Sequence, residues 1–168
     1  SKVYIIGLGV EGRESLSGKA LELVESASFL VGGERHHQEF PEFKGERFVL
    51  KSNLKEMLEA IAKHNAPAFG THFLLKRGFG GVVVLASGDP GLYGIEDYLI
   101  KNLGRDAIEI IPNVSAMQWA FAKAKVSWND ARIVSSHGRG MDKALEAARE
   151  AEKIGIFTSN GDEPSEIA

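Results

Sequence analysis

The chain has no cysteine in its 168 residues. That excludes disulfides and thiolate metal sites, and it fits a cytoplasmic protein. No apolar run approaches the ~20 residues that span a bilayer. Charge of either sign is not in large excess. The formal net charge is −3, so no broad basic surface for nucleic acid is implied. Histidine is sparse, with five in all. The one adjacent pair, His36-His37, would point to opposite faces of an extended chain and could not share a metal, so no metal site is expected. Val3-Tyr4-Ile5-Ile6 reads directly as a strand, so no signal peptide is expected.

What the sequence does contain is organised around Val82-Val83-Val84-Leu85-Ala86, followed by Ser87-Gly88-Asp89-Pro90-Gly91. Five apolar residues without alternation suit a strand buried on both faces of a parallel sheet. The turn that follows joins a glycine free to take positive φ to a proline with φ fixed, with Asp89 between them. In open α/β sheets, ligands bind beyond the carboxyl ends of the strands. Asp89 is well placed to meet a ligand there, or simply caps the turn.

The remaining elements alternate. Strands are expected at Val3–Ile6, Phe29–Val31, Arg47–Leu50, Ile108–Ile111, Ala131–Ser135 and Ile154–Thr158. One helical face carries Leu16, Ala20, Leu23, Val24 and Ala27, with Ser15 or Ser17 as cap. A second carries Leu54, Met57, Leu58 and Ile61, with Asn53 and Glu56 as a capping box. Further helical stretches are Thr71–Arg77, Ile95–Leu103 closed by Gly104, one after Ser115, and Met141–Lys153. This order predicts an α/β protein with a mainly parallel N-terminal sheet and right-handed crossovers. A boundary near Pro112–Asn113 divides it into residues 1–112 and 113–168. The second part offers only two strands and two helices, so an incomplete C-terminal domain, a shortened protein or a fragment, is expected.

Gly7-x-Gly9-x-x-Gly12 after the first strand matches a dinucleotide-binding pattern, and Glu34 falls where a ribose-binding acid would sit. In that motif the glycines open the helix, whose N-terminus faces the pyrophosphate. Here helical spacing starts only at Leu16, which puts Gly12 in a loop.

Five motifs in order resemble the tetrapyrrole methylases. They are Gly7-Leu8-Gly9-Val10-Glu11-Gly12, Val31-Gly32-Gly33-Glu34-Arg35-His36, Ala86 to Gly94, Pro112-Asn113-Val114-Ser115-Ala116-Met117-Gln118, and Ser135-Ser136-His137-Gly138-Arg139. The second, fourth and fifth favour the branch that methylates carbon 5 of precorrin-6Y or cobalt-precorrin-7 in cobalamin biosynthesis. The resemblance implies two α/β domains with S-adenosylmethionine in the cleft between them. It implies cofactor contacts from Gly88, Asp89, Pro90, Tyr93, Ser115 and Ala116, and puts Gly9 at the floor of a substrate trough. It also implies a homodimer or higher homo-oligomer and a decarboxylating precorrin methylase as functional partner, with no nucleic acid and no membrane. Val10 stands where the family normally has proline.

Methyl transfer from a sulfonium to an electron-rich ring carbon is an in-line displacement. The protein chiefly supplies position and a dry pocket, and no general base is assigned. A corrinoid precursor is a polycarboxylate and wants cations. Arg35, His36, His37, His137 and Arg139 are the candidates, arginine because its planar fork suits carboxylates. Three rival readings stand beside this one. They are a sister methylase with another substrate, a nicotinamide-binding oxidoreductase and a non-catalytic partner domain. The loop argument yields a test: S-adenosylhomocysteine should bind and NAD should not. Calorimetry with heat from NAD alone would overturn it.

Overall fold

A computed structural model describes residues 2–65, 81–136 and 141–158. The helical piece expected at Thr71–Arg77 lies outside them. The chain divides into two units, residues 1–115 and 116–168, three residues beyond the expected boundary.

The first unit holds strands β1 (Val3–Leu8), β2 (Phe29–Gly32), β3 (Glu46–Val49), β4 (Val82–Ser87) and β5 (Ile108–Ile111). They form one sheet in the order β3-β2-β4-β1-β5, with every pairing parallel. Successive side chains leave a strand on opposite faces. Val82 and Val84 therefore join Val3, Ile5, Phe29 and Val31 on one face, while Val83 and Leu85 join Ile6, Leu8 and Leu30 on the other. Helices α3 (Leu54–Asn65) and α4 (Glu96–Leu103) cover the first face through Met57, Ile61 and Leu99. Helix α1 (Gly18–Ser26) covers the second through Ala20 and Val24. Both faces are dry, which is why β4 shows no polar alternation.

Local signals set the helix ends. Ser17 caps α1 by accepting the Ala20 N–H at 3.3 Å, and Gly104 closes α4. Asn53 does not form the expected box. Its Oδ1 accepts the Lys51 N–H at 2.7 Å and its Nδ2 donates to the Val49 carbonyl, so its amide is spent on the turn before α3. One element was not foreseen. Helix α2 (Glu34–Gln38) follows β2 directly. His36 and His37 therefore sit on a helix and not on the extended chain expected.

The second unit contains α5 (Ala116–Ala124), β6 (Arg132–Ser135), α6 (Met141–Glu150) and β7 (Ile154–Phe157). Strands β6 and β7 pair in parallel, and Ala144 and Ala147 of α6 are buried.

Met57 is fully buried beneath the sheet. Met57→Ala should cost about 2–5 kcal/mol, the range for emptying a core methionine site. Urea unfolding checks it. A loss under about 1 kcal/mol would mean that α3 is not anchored by this side chain.

Candidate functional site

The chain leaves β1 toward β2 on one side of the sheet and leaves β4 toward β5 on the other. Adjacent strands β1 and β4 thus bracket a topological switch point, where open α/β sheets bind ligands. Their ends are in register, Leu8 opposite Ser87.

Three loops meet there. The Gly88 N–H donates to the Leu8 carbonyl at 2.5 Å, continuing the ladder one residue past β4. A Cβ on Gly7 would collide with the Gly88 carbonyl oxygen and lie 2.9 Å from the Asn113 nitrogen. Gly7 is glycine because two backbones pass over it. Asn113 ties the junction together. Its Nδ2 lies 3.1 Å from the Gly7 carbonyl and 3.1 Å from both the carbonyl and the hydroxyl of Ser15. The Ser15 hydroxyl in turn accepts the Gly9 N–H at 2.8 Å and donates to the Gly12 carbonyl at 2.6 Å. The Gly7–Gly12 segment is thus folded onto the junction, and α1 begins only at Gly18. This is not the arrangement that delivers a pyrophosphate to a helix N-terminus.

Beyond β4, Gly88 has φ +62°, and a Cβ there would lie 2.7 Å from the Ser115 Cα. Asp89 folds the turn. Its Oδ1 accepts the Gly91 N–H at 2.9 Å and its carbonyl accepts the Leu92 N–H at 3.1 Å. The carboxylate makes no other hydrogen bond among the described residues. Tyr93 sits at φ +54° with its side chain 46% exposed. Left-handed geometry costs a non-glycine residue about 1–2 kcal/mol. The turn therefore holds an aromatic side chain outward against a local backbone penalty. Pro90 and Ser115 are buried beside it, and Ala116 is exposed at the start of α5.

A second feature lies past the carboxyl ends of β2, β3 and β4. A cleft of about 350 Å³ is lined by Gly33, Glu34, Arg35, His36, Leu50, Lys51 and Ser87. The sheet makes it, because Gly32 pairs with Val49 and Val31 with Val84. His36 spans it. Its Nδ1 accepts the Gly33 N–H at 3.2 Å, so the neutral ring carries its proton on Nε2, 3.0 Å from the Ser87 hydroxyl oxygen. Burial, then the Arg35 guanidinium beside it, push the His36 pKa below its ordinary value. Glu34 and Lys51 form an ion pair of 2.8 Å. Each holds the other in its charged form, lowering the Glu34 pKa and raising that of Lys51.

The residues expected at the site divide between these two places. Gly88, Asp89, Pro90, Tyr93 and Ser115 gather at the switch point. Arg35 and His36 line the cleft, whereas Gly9 does not line it. His37 turns into the core, where its Nε2 lies 2.9 Å from the Phe48 carbonyl oxygen. His137 and Arg139 lie outside the described residues. Asn113, Ser87 and Lys51 carry the geometry without a role assigned from sequence, and Ser15, one of the two expected caps, instead bonds within the loop junction. Asn113 and Ser87 stood inside quoted motifs, but nothing marked Lys51. Among the described residues, no three His, Asp or Glu side chains converge to hold a metal. No helix among them is long and apolar enough to cross a membrane.

Comparison with known proteins adds the following. A family profile for Tetrapyrrole (Corrin/Porphyrin) Methylases matches residues 2–168. The chain is 37% identical over 164 residues to the cobalt-precorrin-7 C(5)-methyltransferase of Salmonella typhimurium, covering 98% of this chain and 74% of that protein. The crystal structure of the cobalamin biosynthesis precorrin-6Y methylase of Archaeoglobus fulgidus superposes with TM-score 0.61 at 21% identity, over 92% of this chain and 72% of that one. A uroporphyrin-III C-methyl transferase from Thermus thermophilus, complexed with S-adenosylhomocysteine, gives TM-score 0.58 at 21% identity, over 81% and 56%.

The depressed pKa of His36 has a consequence for stability. Its contribution is present above the ordinary value of 6.5 and is lost as pH falls below that toward the folded pKa. His36→Asn keeps an acceptor for the Gly33 N–H and cannot titrate. The stability advantage of the natural protein over this variant should shrink between about pH 7.5 and 5.5. Urea midpoints at both pH values measure it, and a constant difference would contradict it.

Proposed function

The chain belongs to the tetrapyrrole methylases, and from that membership we propose that it is an S-adenosylmethionine-dependent C-methyltransferase acting on carbon 5 of a corrin-ring precursor. The observation that carries this reading is its 37% identity, across 98% of its length, to a cobalt-precorrin-7 C(5)-methyltransferase. Precorrin-6Y or cobalt-precorrin-7 is the substrate class, and cobalamin biosynthesis in the cytoplasm is the setting. The absence of cysteine agrees with that compartment.

The switch-point turn fits the cofactor. Gly88 lets the turn lie directly against Ser115, where a Cβ would collide, and Tyr93 beyond it is 46% exposed. Gly88, Asp89, Pro90, Tyr93, Ser115 and Ala116 are the residues proposed to hold it. When bound, S-adenosylmethionine supplies a methyl group on a sulfonium sulfur. The chain's own task is to fix the acceptor carbon in line with it and keep water away. Asp89, already half committed to its turn, orients a hydroxyl or ammonium group without needing to accept a proton. Arg35 and His36 in the cleft, with His137 and Arg139, are proposed to hold the ring's carboxylates.

This assignment separates binding from chemistry. Arg35→Ala and Arg139→Ala should each raise KM for the corrinoid about tenfold to a hundredfold, since a charged hydrogen bond contributes roughly 1.5–3 kcal/mol. Affinity for S-adenosylhomocysteine should stay within about twofold, because neither residue belongs to the set proposed to hold the cofactor. Steady-state kinetics and calorimetry together decide it. Loss of cofactor affinity with KM unchanged would reverse the assignment.

A further inference from the structure

We propose that Glu34 is a built-in surrogate for a substrate carboxylate: it occupies Lys51 at the cleft and is displaced when a polycarboxylate ligand arrives. The proposal rests on the corrinoid reading above and deepens it. Glu34 opens α2 and Lys51 follows β3, so the two meet only through the adjacency of β2 and β3. Lys51 Nζ lies 2.8 Å from Glu34 Oε1, and both groups line the same cleft of about 350 Å³. Glu34 is the only acidic residue lining it among the described residues. The other polar side chains there are donors or cations. Arg35 forms no ion pair among the described residues. His36, with its proton on Nε2, donates to the Ser87 oxygen. That leaves the Ser87 hydroxyl hydrogen without an acceptor among the described residues. The cleft therefore offers an ammonium, a guanidinium and a hydroxyl donor, and its one anion among the described residues is of the same chemical class as the ligand.

The pair is suited to exchange. The Lys51 and Glu34 side chains are 68% and 66% exposed, so water screens the attraction and little is lost when it opens. An incoming carboxylate replaces Glu34 on Lys51 without stranding a charge. A neutral amide in the same position has no charge with which to compete. Glu34 thus tempers the affinity of Lys51 for carboxylates, and the preference for a carboxylate over an amide comes from the Lys51 charge itself.

The probe is cobyrinic acid, a corrinoid polycarboxylate, with the amidated cobinamide as control, titrated calorimetrically. Glu34→Gln should bind cobyrinic acid about two- to fivefold more tightly, the range spanned by an exposed ion pair. Lys51→Met should weaken it, and adding Glu34→Gln to Lys51→Met should give no gain. Affinity for S-adenosylhomocysteine should be the same in all four proteins. A natural protein that binds cobyrinic acid, with Glu34→Gln no tighter or its gain surviving the loss of Lys51, overturns the proposal alone. A natural protein that binds cobyrinic acid no better than cobinamide overturns the polycarboxylate reading, and the proposal falls with it.

Discussion

The first unit depends on how closely two backbones approach at the carboxyl ends of β1 and β4. The Gly88 N–H reaches the Leu8 carbonyl only because nothing projects from Gly7. Polar backbone groups buried there need partners, since each one left unmade costs about 1–3 kcal/mol. Asn113 supplies several from one amide, reaching Gly7 and Ser15 together. The position of the Gly88-Asp89-Pro90 turn, and of the aromatic side chain that follows it, is set by that arrangement. A side chain at Gly7 would push the turn away, and the Asn113 amide would lose the geometry that closes the loop.

Much of the first unit could be read from sequence, and the reasons are physical. A strand covered by helices on both faces must be apolar throughout, so β4 announced itself. A helix whose first turn needs an acceptor advertises its cap, and Ser17 was among the two serines expected. The late start of α1 likewise separated Gly7–Gly12 from a dinucleotide loop. What could not be read depends on distant pairings. Helix α2 is five residues long, too short for a periodic stripe, and carries two adjacent histidines with opposite fates. Asn113 acts on residues about a hundred positions away. Lys51 enters the cleft only because β2 and β3 are neighbours. No local pattern encodes any of these.

The cleft shows how a site can be polar without being loose. His36 bonds through both ring nitrogens, to the Gly33 N–H on one side and to Ser87 on the other. Two strands' carboxyl ends are linked through one imidazole, and burial keeps that ring neutral. Mobility is left to the side chains that can swing in water, Lys51 and Glu34. The ring that links the strands and the exposed ion pair on the same wall are therefore different residues.

The uniform direction of the five strands also defines a quiet side. Because every strand runs the same way, all the ligand-facing loops collect at one edge. Among the described residues, the opposite edge holds strand entries such as Lys2, paired with Glu109, and Ser28, bonded to Gly81 and to Glu46. An affinity handle or a surface tether fixed at that edge would hold the first unit by the end away from the switch point. The polarity of the sheet gives the first unit a natural orientation for immobilisation.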